Sequence, residues 1–385
     1  MSSLPGPHKV SFVRDRVVFD DSSSSGSVFV SVCYPTTGVG KGKDASYWPA
    51  SAIEGLAQYV ERPLWMFQHL RARHPCGLEG LQVLLPDAGG WPVVVFSHGL
   101  GGNANMYSEM CRALASYGYI VLAVEHADGS GCYAESLSGE PIFYKVRPGN
   151  EPYGRQVVTK FRAPFLDQRV KEISGVLSLL QSAARVEKPA LIQTAFAAAD
   201  AKRLSFVGHS FGAATVTLAA QRLKTQLGDL GCVVLLDTWA YCLPEETLIE
   251  GLKVPTLSLL SAEWLTKDEL PEVVQLLSCT LRDSGGPASF YYPRAVHQSF
   301  SDSPLWFPSA ITESVNSKGR GEDAAATHRA VAEATHLAIT TAAEIDAQKS
   351  QQSAFFADVL KERVLSSAYG KQRGIDLFPT PTNEM

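Results

Sequence analysis

Along most of the chain, apolar runs of strand length alternate with stretches in which apolar residues recur every three to four positions. The runs Pro92–Ser97, Tyr119–Glu125, Arg203–Gly208, Cys232–Asp237, Thr256–Leu260 and Ser289–Pro293 are continuously apolar and do not alternate with polar residues. Strands read this way when both faces are buried, as in a parallel sheet covered by helices. Helical periodicity fills the gaps, over Ala104–Tyr117, Phe165–Ala184, Gly212–Leu223 and Glu269–Leu277. The β-α-β-α order predicts an α/β protein with a mostly parallel central sheet and helices on both faces. The start differs: Val10–Asp20 and Val28–Tyr34 flank a polar serine run and predict an antiparallel hairpin.

Two stretches interrupt the alternation. Residues 35–90 hold a Gly/Lys turn region and a helix-like segment around Trp65, Met66, Phe67 and Leu70. Residues 126–160 are rich in Gly, Pro, Ser and Tyr and follow a strand, the expected place for an insertion near the working end of a sheet. Ala324–Ile345 and Ser353–Leu365 read as a helical tail with no strand after them. No internal repeat is present, and a single domain over 1–385 is expected.

Composition narrows the class. A hydrophobic fraction of 45% is ample for a full core, and a net charge of −5 without a Lys/Arg block argues against nucleic acid as a partner. No apolar run approaches the ~20 residues of a membrane span. The N-terminus has no basic-then-apolar leader, position 2 is Ser, which excludes N-myristoylation, and the seven cysteines are scattered without a CxxC pair. A cytoplasmic protein is expected, with Cys111 and Cys232 as core thiols. His69, His74 and Cys76 lack ligand spacing and no HExxH occurs, so neither metal nor other cofactor is expected. The pattern specifies no oligomeric state.

The chemistry-bearing signal is Gly208-His209-Ser210-Phe211-Gly212, placed between an apolar strand and a helix that opens on small residues. A nucleophile elbow needs a Ser on such a turn, with glycines where neighbouring backbone comes close. Ser210 is the candidate nucleophile. A Ser hydroxyl needs a positioned base, itself oriented by an acid, in the chain order Ser, Asp/Glu, His. Of His297, His328 and His336, only His297 follows a strand; the other two lie in the helical tail. Two acids sit at strand ends, Asp237 and Glu263, and spacing does not separate them. An oxyanion hole needs two backbone N–H groups. Phe211, after the nucleophile, offers one, and Leu100 in Ser97-His98-Gly99-Leu100-Gly101-Gly102 the other, with His98 holding that loop locally. The segment Leu64–Leu70 reads either as an interfacial face for transient membrane-surface contact or as a core-packing helix.

Five blocks in order give the chain a more specific likeness: Val94–Gly101, Ala123–His126, Gly208–Val216, Leu236–Trp239 and Val296–Asp302. Over residues 10–365 it resembles the platelet-activating factor acetylhydrolase family, the group VII phospholipases A2 of plasma and intracellular type II. The resemblance implies an α/β-hydrolase fold and a serine esterase acting, without calcium, on the sn-2 ester of phospholipids with short or oxidised acyl chains. It also implies Asp237 as the acid with Glu263 second, Leu100 and Phe211 as oxyanion donors, and Trp239 and Gln298 along the acyl pocket. A broad carboxylesterase or lysophospholipase, or an inactive lipid-binding copy of the fold, are the alternatives. The family's secretion and myristoylation signals are not readable here.

Overall fold

The computed structural model, which describes residues 4–20, 25–149, 153–181, 190–281, 286–347, 356–367 and 376–377, falls into two units, 1–204 and 205–385. The first begins with the expected hairpin: β1 (Val10–Asp20) pairs antiparallel with β2 (Ser25–Pro35), from Val10 opposite Pro35 to Asp20 opposite Ser25. Most of the serine run that turns this hairpin lies outside the described residues.

Residues 35–90 contain more structure than their pattern predicts. β3 (Lys43–Ser46) and β4 (Arg73–Glu79) form an antiparallel pair, and α1 (Ala50–Tyr59) lies between them. The segment Leu64–Arg71 is a 3-10 run and not an α-helix. Next come β5 (Trp91–Ser97), α2 (Ser108–Ser116) and β6 (Ile120–Glu125), with β5 and β6 parallel. The insertion 126–160 carries a small antiparallel hairpin, β7 (Tyr133–Glu135) with β8 (Pro141–Phe143). The unit closes with α3 (Arg155–Gln181) and α4 (Ala190–Ala197).

In this unit the strands run in the order β5-β6-β2-β1-β4-β3. Within β2, Val30 and Val32 are buried and so are Ser31 and Cys33, so the strand is covered on both faces. α2 and α3 both pack against β1 and β2. At Gly175 of α3 a Cβ would lie 2.3 Å from the Phe19 ring, so a glycine there permits the approach of helix to strand.

The second unit is the parallel half. β9 (Ala199–His209), which enters the unit at Ser205, β10 (Cys232–Leu236), β11 (Thr256–Ser261) and β12 (Ala288–Tyr292) pair in parallel, in chain order. Contrary to the expectation of no strand after the helical tail, the short β13 (Asp376–Leu377) then adds antiparallel to β12. Every residue of β10 and β11 is buried, as the continuous apolar runs require. The helices are α5 (Phe211–Arg222), α6 (Lys224–Leu227), α7 (Glu245–Glu250), α8 (Leu270–Cys279), α9 (Ser309–Ser314), α10 (Ala324–Ala347) and α11 (Phe356–Ser366). α10 packs against β10 and β11 through buried Ala326, Ala330, Ala334, Ala338 and Ala342, a four-residue stripe whose small side chains let the helix sit close.

Candidate active site

β9 delivers the chain into a sharp turn, and α5 carries it away. At the turn, Ser210 takes φ 57° and ψ −116°, a left-handed region that side-chain-bearing residues rarely occupy. Such strain costs of order 1–3 kcal/mol and persists only where surroundings over-determine it. Here the Ser210 N–H donates to the Leu236 carbonyl at 2.9 Å, and its own carbonyl accepts from Ala213, Ala214 and Trp239. The turn is tight enough that a Cβ on Gly208 would lie 2.3 Å from the Gly212 carbonyl oxygen. Gly208 is therefore needed for its lack of a side chain.

β10 ends next door and places Asp237, at φ 41°, in full burial. Its Oδ1 accepts the Ser261 N–H at 2.7 Å, and its Oδ2 accepts the Ser261 hydroxyl at 2.5 Å. The same Oδ2 lies 3.1 Å from Nδ1 of His297, whose Nε2 lies 3.0 Å from Oγ of Ser210. With Nδ1–H donating to the carboxylate, Nε2 is left as the acceptor for the Ser210 hydroxyl. Burial pushes the Asp237 carboxyl up, against the hydrogen bonds from His297 and Ser261 that hold it down.

Glu263, the second candidate acid, meets His297 at a different place. Its Oε2 accepts the backbone N–H of His297 at 2.9 Å and the Asn316 side-chain amide at 3.2 Å, while its Oε1 pairs with Lys267 at 2.8 Å. Partial burial works to raise this carboxyl, but Lys267 and the His297 amide hold it below the ordinary range. Glu263 thus fixes the His297 main chain, and Asp237 alone of the two reaches the ring. Trp264, which the sequence did not single out, stacks flat on the imidazole at 4.3 Å and 14°.

The indole of Trp239 donates to Glu269 at 3.0 Å and its ring lies 5.8 Å from that of Phe211, the first residue of α5. The side-chain carbonyl of Gln298 accepts from Ser301 in its own turn at 3.1 Å. His328 is buried and donates Nε2–H to the Ser301 carbonyl at 2.8 Å. His336 is half-buried in α10 and its pKa is lowered by that burial.

In the first unit the loop after β5 is held on several sides. Gly99 N–H donates to the Tyr107 hydroxyl at 3.1 Å and Gly101 N–H to the Ser130 carbonyl at 2.7 Å; the Leu100 N–H between them donates to none of the described residues. His98 donates Nδ1–H to the Gly99 carbonyl at 2.9 Å and accepts the His126 N–H on Nε2 at 3.2 Å. Arg169, fully buried, donates to the His98 carbonyl at 2.6 Å and pairs with Asp128 at 3.0 Å. His126 bridges the Ser97 hydroxyl at 2.8 Å and Glu172 at 2.7 Å. Burial, and then the charge of Arg169, hold both His98 and His126 well below the ordinary histidine range. The sequence pattern marked none of Arg169, Asp128 and Glu172.

His209, Asp237 and His297 offer ligand atoms within 4.8 Å of one another, the geometry of a small metal site. The donor set is already engaged, however. Both Asp237 oxygens hold Ser261 and His297, and Nε2 of His297 faces a serine hydroxyl. Burial, and then His297, keep His209 well below the usual histidine range. Asp237 and His297 are thus engaged with each other, with Ser261 and with Ser210, and do not leave an open coordination sphere.

A strand, a strained serine turn and a helix, with acid and histidine in turns after later parallel strands, define the class as an α/β-hydrolase fold with a nucleophile-elbow serine. The fold is shared with a ferulic acid esterase from Streptomyces cinnamoneus, at TM-score 0.63 and 19% identity over 88% of this chain and 91% of that one. The chain belongs to the family of platelet-activating factor acetylhydrolase, isoform II, whose model matches residues 2–352. It is 37% identical over 175 residues to the platelet-activating factor acetylhydrolase of Cavia porcellus, covering 40% of this chain and 37% of that protein. It is 27% identical over 282 residues to a putative phospholipase A2 of Schizosaccharomyces pombe, covering 60% and 64%. These matches span 37% and 64% of the relatives' own lengths.

Proposed function

We propose that this chain is a calcium-independent serine esterase that cleaves the sn-2 ester of phospholipids bearing short or oxidised acyl chains. The observation that carries the reading is the hydrogen-bonded series from Asp237 through His297 to Ser210, at 3.1 and 3.0 Å, with the serine on a strained elbow. Family membership and the names borne by the relatives support the substrate class.

Ser210 Oγ attacks the sn-2 carbonyl carbon while His297 Nε2 takes the hydroxyl proton; Asp237 holds the ring in the tautomer this needs and stabilises the imidazolium. The oxyanion is received by the Phe211 amide, at the N-terminus of α5, and by the Leu100 amide, which the sequence supports as second donor. Collapse of the tetrahedral intermediate passes the proton to the lysophospholipid oxygen. Water, deprotonated by His297, then hydrolyses the acyl-enzyme and releases the short acid. A base already in reach of its nucleophile requires no metal-bound water, which supports calcium independence. Trp239, two residues after the acid, and Gln298, next to the base, are assigned to the acyl pocket on the family resemblance.

No helix among the described residues is long and apolar enough to cross a membrane. The reading places the enzyme in the cytoplasm, a site supported by seven free thiols, with lipid met by transient surface contact. Trp65, 75% exposed, and Leu64 at 38% support that contact, whereas Phe67 is buried and belongs to the core.

The test is relative kcat/KM on phosphatidylcholines with sn-2 acetyl, hexanoyl and palmitoyl chains beside a simple aryl ester. A hydrophobic pocket discriminates by about 1–3 kcal/mol per methylene, so a graded decline with length is expected. Preference for the aryl ester with no phospholipid cleavage would make the protein a broad carboxylesterase. No labelling by a fluorophosphonate would leave an inactive lipid-binding fold.

A further inference from the structure

The segment Ser261-Ala262-Glu263-Trp264, which starts on the last residue of β11, touches both the acid and the base of the proposed relay. Ser261 donates twice to Asp237, Glu263 accepts the His297 backbone N–H, and Trp264 covers the His297 ring. Trp264 is itself pinned. Its indole N–H donates to the Thr238 carbonyl, next to Asp237, at 3.1 Å, and its backbone N–H donates to the Ser261 hydroxyl at 3.2 Å. The residue is 5% exposed, so the contact with the imidazole is shielded from water. On the imidazole's other neighbour, His209, the centroids are 4.5 Å apart and the planes are inclined by 38°.

We propose that Trp264 is a positioning residue of the reaction: its indole face fixes the plane of the His297 ring and stabilises the imidazolium that forms when Ser210 loses its proton. The inference rests on the relay proposed above. A cation over an indole face gains more in a desolvated site than at a surface, and indole is the strongest of the aromatic faces for this. Stacking within 14° of parallel presents the whole π face to the charge, and the two hydrogen bonds of Trp264 prevent it from turning away. The charged and titratable groups around His297 are Asp237 on its Nδ1, Glu263 with Lys267 at its backbone, and His209 beside the ring. Further out, Glu322 accepts from Ser299 and His328 donates to the Ser301 carbonyl. All of these remain in a Trp264 variant, so a change in pH behaviour reports the indole.

The experiment follows the second-order rate of Ser210 labelling by a fluorophosphonate against pH, in the full chain, which requires no knowledge of the natural lipid. In Trp264→Leu the plateau rate falls by about 5- to 30-fold and the acid limb moves to lower pH by about 0.5 to 1 unit. Trp264→Phe, which keeps a π face but loses the bond to Thr238, recovers most of both. Fluorinated tryptophans introduced at 264 keep volume and N–H while draining the π face, and give a graded shift in the same direction even where Trp264→Leu does not fold. A lowered plateau with an unmoved acid limb, or a flat fluorination series, overturns the inference and leaves Trp264 as packing. A wild-type chain that takes no label at all sinks the relay reading, and this inference falls with it.

Discussion

Ser210 and Asp237 both adopt left-handed backbone angles, φ 57° and 41°, and each sits one residue past the end of a parallel strand. Here the strained angles serve orientation: each turn throws one side chain out of its strand toward the same imidazole. The Gly208–Gly212 contact sets the first of these turns, so Gly208→Ala forces a Cβ to within 2.3 Å of a carbonyl oxygen. The expected outcome is a loss of stability of about 1–3 kcal/mol in urea denaturation and a fall in labelling of Ser210. The two acids separate cleanly at this scale. Asp237→Asn reverses the tautomer preference of His297 and is expected to lower kcat about 10⁴-fold. Glu263→Gln still accepts the His297 N–H and is expected to cost less than about tenfold; equal losses from the two would refute their assigned roles. Spacing along the chain could not make this distinction, because Asp237 and Glu263 both follow apolar strands; what separates them is which atom of His297 each one faces.

Among the elements, the six parallel-type strands were legible because burial on both faces leaves an unbroken apolar run, and β10 and β11 are buried throughout. β4 was not legible. Its residues Arg73–Glu79 bury only His74 and Cys76, in alternation, and two polar-looking positions do not announce a strand. α1 escaped because Ala, Gly and Gln dilute its apolar stripe, and the aromatic run Trp65–Phe67 that drew attention is a 3-10 turn. The buried polar cluster around β5, β6 and α3 was equally silent, since Arg169 and Glu172 look like any charged residues on a helix. Within it, Ser97, His126 and Glu172 repeat the connectivity of a serine–histidine–acid series, yet all three are fully buried. Ser210→Ala is therefore expected to take no fluorophosphonate; residual labelling at Ser97 would contradict a purely structural role.

The end of β6 also makes a pH prediction. Burial, partly offset by Arg14, pushes the Glu125 carboxyl up to about 7 from 4.5. A folded-state pKa raised above the unfolded value means that the folded chain binds the extra proton. That contribution to stability is full below about pH 4.5 and is lost as pH rises through about 7. Glu125→Gln, which is uncharged and can still accept the Ala104 N–H, removes this dependence. Chemical denaturation at pH 5 and pH 8 should show the variant gaining on wild type at the higher pH; a constant difference would contradict the shift.

For the molecule as a whole, the α/β-hydrolase class and the family were legible because five motif blocks occur in order; the family match covers residues 2–352 and so stops short of the expected end at 365. Side-chain exposure was not, and it redirects the membrane test. Trp65 is exposed and Phe67 is buried, so Trp65→Ser is expected to weaken binding to phosphatidylcholine vesicles without loss of stability. Phe67→Ser is expected to destabilise the fold by about 3–5 kcal/mol instead, as loss of a buried aromatic does. Unchanged vesicle partitioning by folded Trp65→Ser would remove this turn from the lipid contact.

The most direct test of the central claim is acetate release from 1-alkyl-2-acetyl-phosphocholine in the presence of EDTA, by wild type and Ser210→Ala side by side. The account predicts calcium-independent turnover by wild type and its loss, to no more than about 10⁻³ of the wild-type rate, in the variant. Turnover that survives Ser210→Ala, or that disappears with EDTA, would contradict it.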